Sequence, residues 1–205
     1  MAASVSMLPG IARGMALTPR QTEGPFYPVD ERADRDVDLT MIRGHAGSAQ
    51  GEAILLRGRV LDVDGRPLDH ALVDIWQANH FGRYSHPDDR NTAPLDPGFQ
   101  GWGLTRTDTN GEYGFKTIRP GAYRLSPTAG SAQRCRHIHF KVSRPGFKNL
   151  TTQMYFRGDP LIENDIVMVD TPEELRHLLI ADSITDEATG LELYQFDLVL
   201  QADRS

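Results

Sequence analysis

Hydrophobic and polar residues alternate in short runs along most of the chain, and turn residues separate the runs. A period of two is typical of a β-strand that buries one face. Together the runs predict an all-β protein, an antiparallel β-sandwich with long connecting loops and one or two peripheral helices. The predicted strands cover residues 53–63, 70–78, 104–108, 112–118, 137–143, 150–156 and 191–201.

The turn between two of these runs carries the dipeptide Asn110-Gly111. Both of its positions tolerate a positive φ, which makes it a strong signal for a tight β-hairpin turn. We therefore expect the strands at 104–108 and 112–118 to pair with each other.

One segment, 171–181, has the features of a helix instead. Thr171 is placed to cap it, Pro172 suits the first helical position and Glu174 completes a capping box. We expect this helix to pack on the outside of the sheets. The segment 85–101 shows no periodicity, and its length makes it a candidate functional loop.

The chain length of 205 residues fits one domain. We predict a flexible N-terminal arm over residues 1–21 and a single domain over residues 22–205. The arm lacks the positive charge that precedes the apolar part of an export signal. Cys135 is the single cysteine and cannot form an internal disulfide, which suits a reducing compartment. We therefore expect a cytoplasmic protein.

The charge balance excludes some partners. The formal net charge is -6 at pH 7, whereas surfaces that bind nucleic acid need clustered Lys and Arg. No run reaches the length of a membrane span. We expect neither nucleic acid nor a membrane as a partner.

The motif of most chemical interest is His137-Ile138-His139, which lies in a predicted strand. Residues two apart in a strand point to the same side, so both imidazoles can contact one ion. The same pattern arises when the polar face of an amphipathic strand lies in water, and for this pair alone that is the more common case. Two imidazoles are also too few ligands for a typical metal site.

Two tyrosines stand where a sheet delivers side chains to a cleft. Tyr84 follows the strand that contains DIWQA, and Tyr123 follows the tight turn at RPGA. A wider pattern runs through TEGPFYP (22–28), VDIWQAN with GRYSH (73–86), TDTNGEYGFKTIRPGAY (107–123), RCRHIHFKV (134–142) and LTTQMYFRGDP (150–160). This ordered series resembles the intradiol ring-cleaving dioxygenases, specifically the protocatechuate 3,4-dioxygenase type.

The resemblance implies a mononuclear non-haem Fe(III) held by Tyr84, Tyr123, His137 and His139. Because all four ligand positions match, the chain resembles a catalytic chain of the family. A hard trivalent ion suits two phenolates, since it can remove phenolic protons whose ordinary pKa is about 10. Two neutral imidazoles complete the protein ligands and leave room for solvent and substrate.

The implied reaction joins a catechol-type substrate with O2 and inserts both oxygen atoms to give a cis,cis-muconate, without a reducing cofactor. Tyr123 is by analogy the ligand that the substrate displaces, so it can accept a catechol proton. Arg134 matches the family arginine that stabilises the electron-rich substrate, a role that suits its permanent charge. Gln153 matches a family glutamine near the ring.

The substrate's ring substituents are less tightly indicated. The short segment before TEGPFYP favours a protocatechuate-like substrate, but the run AYRLSP at 122–127 departs from the PYPW typical of protocatechuate enzymes. Arg124 in this run either meets a substrate carboxylate or faces solvent. Tyr27 either lines the pocket mouth or packs. We also expect a homo-oligomer or a pairing with a related chain.

Two other hypotheses stay open. A zinc or copper hydrolase-like β-sandwich would use His137 and His139 with a third histidine or a carboxylate. A non-catalytic transthyretin-like binding module or partner subunit would need no iron, and it would keep its binding after Tyr84→Phe or His139→Ala.

Overall fold

Two five-stranded β-sheets and a separate two-stranded ribbon form the computed structural model, which describes residues 14–29, 34–125 and 130–203. The prediction of an all-β fold with one or two peripheral helices is confirmed. The strands are β1 (Ala53–Asp62), β2 (Leu72–Trp76), β3 (Trp102–Arg106), β4 (Glu112–Ile118), β5 (Tyr123–Arg124), β6 (Gln133–Arg134), β7 (His137–Ser143), β8 (Leu150–Phe156), β9 (Ile180–Ala181), β10 (Ser183–Thr185), β11 (Glu192–Gln195) and β12 (Leu198–Leu200). The helices are α1 (Ile166–Val169) and α2 (Glu173–Arg176), with 3₁₀ turns at Ile162–Asn164 and His177–Leu179.

Both sheets are mixed, which differs from the antiparallel sandwich that the sequence predicts. The first has the order β10-β11-β1-β12 with β4 also paired to β1, and the second has the order β3-β2-β7-β8-β9. β1 pairs antiparallel with β4 but parallel with β11 and β12, and β9 runs parallel to β8. Alternation identifies the buried face of a strand but not the direction of its neighbour, so the parallel pairs left no signal.

The core lies between the two sheets. Ile54 and Leu56 of β1 and Val73 of β2 are fully buried in one apolar cluster that both sheets share. Phe140 of β7 joins this cluster and packs on the ring of Phe196 with a centroid distance of 5.1 Å. One face of β7 therefore points into the sandwich, and its other face is available for a different purpose.

The predicted hairpin at Asn110-Gly111 was wrong, although the tight turn exists. Gly111 has a φ of 73°, and its N–H donates to the Asp108 carbonyl at 3.0 Å. β3 pairs with β2, whereas β4 pairs with β1 in the other sheet. The turn therefore joins the two sheets. The Asp108 carboxylate accepts the N–H groups of Asn110 and Glu112, both at 2.8 Å, and so stabilises the turn without a hairpin ladder.

The predicted helix at 171–181 is also much shorter than expected. α2 has four residues and no side-chain cap, and Thr171 Oγ1 instead accepts a hydrogen bond from Gln21 at 3.0 Å. Leu179 is fully buried, and the segment ends as β9 on the edge of the second sheet. Tertiary packing therefore overrides the local helix signals. No helix in the part of the chain that the structure describes is long and apolar enough to cross a membrane.

The last predicted strand, 191–201, forms two strands. Phe196 and Asp197 lie between β11 and β12, and the Asp197 carboxylate accepts the Arg59 N–H of β1 at 2.8 Å. This side-chain bond satisfies a backbone donor of β1 at the gap between β11 and β12.

Residues 14–21 lie along the sandwich. The N–H groups of Met15, Thr18 and Gln21 donate to carbonyl oxygens just after β1, in β12 and in β8, at 2.7, 3.2 and 2.9 Å. Residues 1–13 of the predicted flexible arm lie outside the described residues, so the arm stays a prediction there.

Candidate functional site

A close backbone approach brings the two tyrosines together. Tyr84 follows β2, and Tyr123 lies in β5. A Cβ atom at Gly82 would lie 2.5 Å from the Ala122 carbonyl oxygen, and one at Gly121 would lie 2.4 Å from the Gly82 nitrogen. Only glycine permits such contacts. The two segments can therefore touch, and the rings of Tyr84 and Tyr123 lie 5.6 Å apart.

The candidate loop at 85–101 supports Tyr84. This segment contains no helix or strand. Its Asp89 carboxylate accepts the Tyr84 N–H at 2.7 Å, and its Asn91 amide donates to the Gly82 carbonyl at 2.8 Å. The loop therefore holds the turn that presents Tyr84.

The two histidines lie on the face of β7 that points away from the core. His137 and His139 are only 2% and 3% exposed, which excludes the interpretation of a strand face in water. The His139 ring stacks on Trp76 of β2 with a centroid distance of 4.7 Å. Gly24 of the N-terminal segment covers it, because a Cβ atom there would lie 3.4 Å from His139 Cε1.

The structure brings Tyr84, Tyr123, His137 and His139 together. Tyr84 Oη lies 3.3 Å from His137 Nε2. The Tyr123 and His137 rings are 5.7 Å apart, the Tyr84 and His139 rings 6.2 Å and the two imidazoles 4.9 Å, measured between centroids. Three distant segments therefore deliver four oxygen and nitrogen donor groups to one buried place.

The imidazoles fit a metal better than a protein partner. His137 Nδ1 lies 2.7 Å from the Cys135 carbonyl, which requires a proton on Nδ1 and leaves a lone pair on Nε2 towards Tyr84. His139 Nδ1 is buried and has no hydrogen-bond partner among the described residues. Within the same residues, no three His, Cys, Asp or Glu side chains form a metal-binding group. A metal here would therefore need the tyrosines, which disfavours the zinc or copper hydrolase hypothesis.

Burial sets the protonation of all four groups. It lowers the pKa of His137 well below 6.5, as does the nearby Arg134 cation, and burial with His137 lowers the pKa of His139 likewise. Burial raises the pKa of Tyr84, with a further contribution from Tyr123. It also raises the pKa of Tyr123, which Arg134 opposes. The imidazoles are neutral and able to coordinate, and the phenols keep their protons until a cation binds beside them.

Arg134 lies directly opposite Tyr123 in the pairing of β5 with β6. Its guanidinium donates from Nη2 to Gln153 Oε1 at 2.6 Å and from Nε to Asp165 at 2.9 Å. Burial opposes its charge, but Tyr123 and Asp165 outweigh this effect and raise the pKa of Arg134. Gln153 pairs with His139 between β7 and β8. Both predicted residues therefore lie beside the four donor groups.

Tyr27 and Arg124 lie further from this cluster. The Tyr27 hydroxyl donates to Asp74 at 2.7 Å, and its ring packs edge-on against Trp76. Arg124 is exposed and donates to the Ser131 carbonyl at 3.3 Å. The Tyr27 ring packs on Trp76 and its hydroxyl is bound to Asp74, whereas the Arg124 guanidinium is exposed to solvent.

A cavity of about 510 Å³ opens beside Tyr123. Phe26 lies on one side, and the predicted loop contributes Asp89 and Arg90. Arg124 also belongs to its wall. A single aromatic ring with its substituents fits a space of this size.

Sequence reasoning missed two side chains that support the cluster. Asp165 is fully buried on Arg134, and the Tyr155 hydroxyl donates to Gln153 Oε1 at 3.2 Å. Tyr155 shares the alternation of β8 with Gln153, which was a usable signal. Asp165 precedes the apolar run IVMV, which indicated a helix cap but not a partner for an arginine.

Comparisons with known proteins identify the family of the chain. A family model described as Dioxygenase matches residues 22–202. The protocatechuate 3,4-dioxygenase beta chain of Burkholderia cepacia is 43% identical over 186 residues, which cover 89% of this chain and 78% of that protein. Catechol 1,2-dioxygenase 2 of Acinetobacter lwoffii is 37% identical over 72% of this chain, and the match spans about half of that longer protein, 54%.

The fold has the same relatives. The crystal structure of 3-chlorocatechol 1,2-dioxygenase from Rhodococcus opacus 1CP superposes with a TM-score of 0.71 and 26% identity, covering 93% of this chain and 74% of that one. These matches favour an enzyme over a non-catalytic transthyretin-like binding module. The chain belongs to the intradiol ring-cleaving dioxygenases.

Proposed function

We propose that the protein is a non-haem Fe(III) intradiol dioxygenase that cleaves a catechol-type substrate between its two hydroxylated carbons. The observation that carries this proposal is the convergence of Tyr84, Tyr123, His137 and His139 in one buried place. Two phenols and two neutral imidazoles form a donor set that suits a hard trivalent ion. These four side chains would hold the iron.

When bound, Fe(III) would supply the Lewis acidity that activates a catechol towards O2. The protein's own contribution is a set of fixed charges and proton acceptors. Tyr123, which lies at the wall of the cavity, is the side chain that would accept a catechol proton as the substrate enters. Arg134 would place a permanent positive charge where the activated ring becomes electron-rich, in a site with little water.

We propose a protocatechuate-like substrate, one with a carboxylate on the ring. The cavity beside Tyr123 includes the exposed guanidinium of Arg124, which can pair with a carboxylate at its mouth. The relative with 43% identity is named for protocatechuate. Arg124→Ala should raise KM for protocatechuate but leave KM for catechol unchanged. Equal changes in KM for the two substrates would show that Arg124 does not select the substrate.

The decisive experiment for the reaction is an anaerobic titration with a panel of catechols, followed by admission of O2. Tyrosinate bound to Fe(III) gives a visible charge-transfer band, so the loaded protein should be coloured and each substrate should shift the band. O2 should then yield a cis,cis-muconate. A colourless protein that contains a full equivalent of metal, or a band that no catechol perturbs, would contradict the proposal.

We also propose that the chain assembles, either with copies of itself or with a related chain. The relative from Burkholderia cepacia is named a beta chain, which supports a paired arrangement. The molar mass of the purified protein in solution distinguishes an assembly from a monomer of 22.8 kDa.

A further inference from the structure

Two arginines flank Cys135, and each is held by an aspartate from the segment that follows β8. Arg134 binds Asp165, and Arg136 binds Asp159. The two pairs differ in burial. Arg134 and Asp165 have side chains that are 4% and 0% exposed, whereas the Arg136 side chain is 41% exposed. One ion pair is buried, and the other is partly exposed.

The Asp165 carboxylate joins two parts of the fold. Its Oδ2 accepts from Arg134 Nε and from the Cys135 N–H, both at 2.9 Å. Its Oδ1 accepts the N–H groups of Val167 and Met168 at the start of α1, at 3.0 and 3.2 Å. A carboxylate with four donors and no exposed surface has a fixed position, so the guanidinium that it binds also has one.

The same carboxylate determines which way Arg134 faces. With Nε engaged by Asp165, Nη2 points at Gln153 and the guanidinium lies beside Tyr123. Without Asp165, a buried cation would lose its only ion-pair partner among the described residues. The side chain would then leave this orientation or draw water into the site.

We propose that Asp165 is a positioning residue that acts through Arg134, holding its charge at the edge of the substrate site. This inference rests on the proposed function and extends it to a residue outside the four donor groups. Asp165 does not touch the cavity beside Tyr123. Its effect on turnover comes from the direction that it gives to the guanidinium.

The test uses Asp165→Ser, because a serine hydroxyl can still cap α1 but carries no negative charge to pair with Arg134. Asp159→Ser is the matched control. Asp159 likewise accepts the Arg136 N–H and guanidinium with one oxygen, at 3.2 and 3.1 Å, and the Leu161 N–H with the other, at 2.9 Å. The control therefore removes a similar ion pair and likewise leaves a hydroxyl for the backbone N–H, without touching Arg134.

We expect Asp165→Ser to lower kcat per bound iron by about 10- to 100-fold, the range for loss of a partner that orients an active group. Substrate binding measured anaerobically should change little, and Asp159→Ser should keep wild-type kcat. In an Arg134→Lys background, Asp165→Ser should cause little further loss, because the two residues act as one unit. An equal loss in both backgrounds, or wild-type kcat in Asp165→Ser, would overturn the proposal.

A second readout needs neither iron nor turnover. In the metal-free protein, the Arg134 Nε–H should give a slowly exchanging ¹⁵N-detected resonance because it is buried on a carboxylate. That resonance should persist in Asp159→Ser and vanish in Asp165→Ser. If the wild type fails to cleave any catechol, the proposed function fails, and this readout still decides the positioning role. A resonance that survives Asp165→Ser would overturn it.

Discussion

Over residues 137–140, the two faces of β7 are almost equally buried but differ in what covers them. On the inner face, Ile138 and Phe140 have no exposed surface and pack among apolar side chains of both sheets. On the outer face, His137 and His139 are nearly as buried, yet the groups around them are two phenols, an arginine and a tryptophan. The inner face contributes to the fold by apolar packing. On the outer face, His139 Nδ1 has no hydrogen-bond partner among the residues that the structure describes, which supports this face as the proposed binding face.

The largest contrast should come from substitutions at neighbouring positions on opposite faces. His139→Ala removes one of four donor groups and should reduce iron affinity by more than about 100-fold, since loss of an outer partner alone costs 10- to 100-fold. Ile138→Val, one residue away, should keep a full equivalent of iron. Metal analysis and the visible band measure both. A full equivalent of iron in His139→Ala would show that His139 is not an iron ligand.

The inner face should instead respond in stability. Phe140→Ala leaves a cavity beside Phe196 and should lower the free energy of unfolding by about 3 to 5 kcal/mol. Denaturant unfolding of the metal-free protein measures this loss. The folded fraction should still bind iron and show an unshifted band. A displaced band with unchanged stability would show that the two faces do not have separate roles.

The pH dependence of stability should report the buried imidazoles. Their pKa values are lower in the folded than in the unfolded chain, so the unfolded state binds more protons below about pH 6.5 and stability falls as pH falls. Each imidazole should contribute about 1.4 kcal/mol per pH unit in that range. In the metal-free protein, His139→Asn should therefore flatten the slope, and replacing the exposed His177 with glutamine is the control. An unchanged slope in His139→Asn would contradict the claim that the His139 imidazole is buried in its neutral form.

The smallest effect is expected at the end of the outer face, where it reaches solvent. Lys141 pairs with Glu23 at 2.7 Å and lies over the Tyr27 ring at 4.3 Å, but both charged side chains are more than a third exposed. Lys141→Ala should therefore lower the free energy of unfolding by less than about 1 kcal/mol and leave the band unchanged. Thermal unfolding in low and high salt measures this pair. A large loss of unfolding free energy would show that Lys141 belongs to the buried part of the outer face.

The strands and the paired histidines could be predicted because alternation with a period of two is local. The order of His137, Ile138 and His139 alone assigns opposite faces of β7. Residue alternation did not reveal which strands meet, so the parallel neighbours of β1 and the turn at Asn110 that joins two sheets differ from the prediction. The apparent helix at 171–181 failed for a related reason, since a buried Leu179 and a sheet edge decide its conformation.

The residues around the site also fall into those that the sequence could predict and those that it could not. Tyr84, Tyr123 and the two histidines lie in segments whose order along the chain resembles the family, so the sequence could nominate them together. Asp165 could not be nominated, because its partner Arg134 lies 31 residues away and no repeat or motif connects them. The fold creates this contact by bringing the start of α1 against β6.

The most direct test is the anomalous difference map of an iron-loaded crystal at the iron absorption edge. One peak should lie on the outer face of β7, within bonding distance of Tyr84 Oη, Tyr123 Oη and an imidazole nitrogen of both His137 and His139. The same crystal of Tyr84→Phe should lose that peak or weaken it strongly. A peak elsewhere, or one that contacts the histidines but neither tyrosine, would contradict the account.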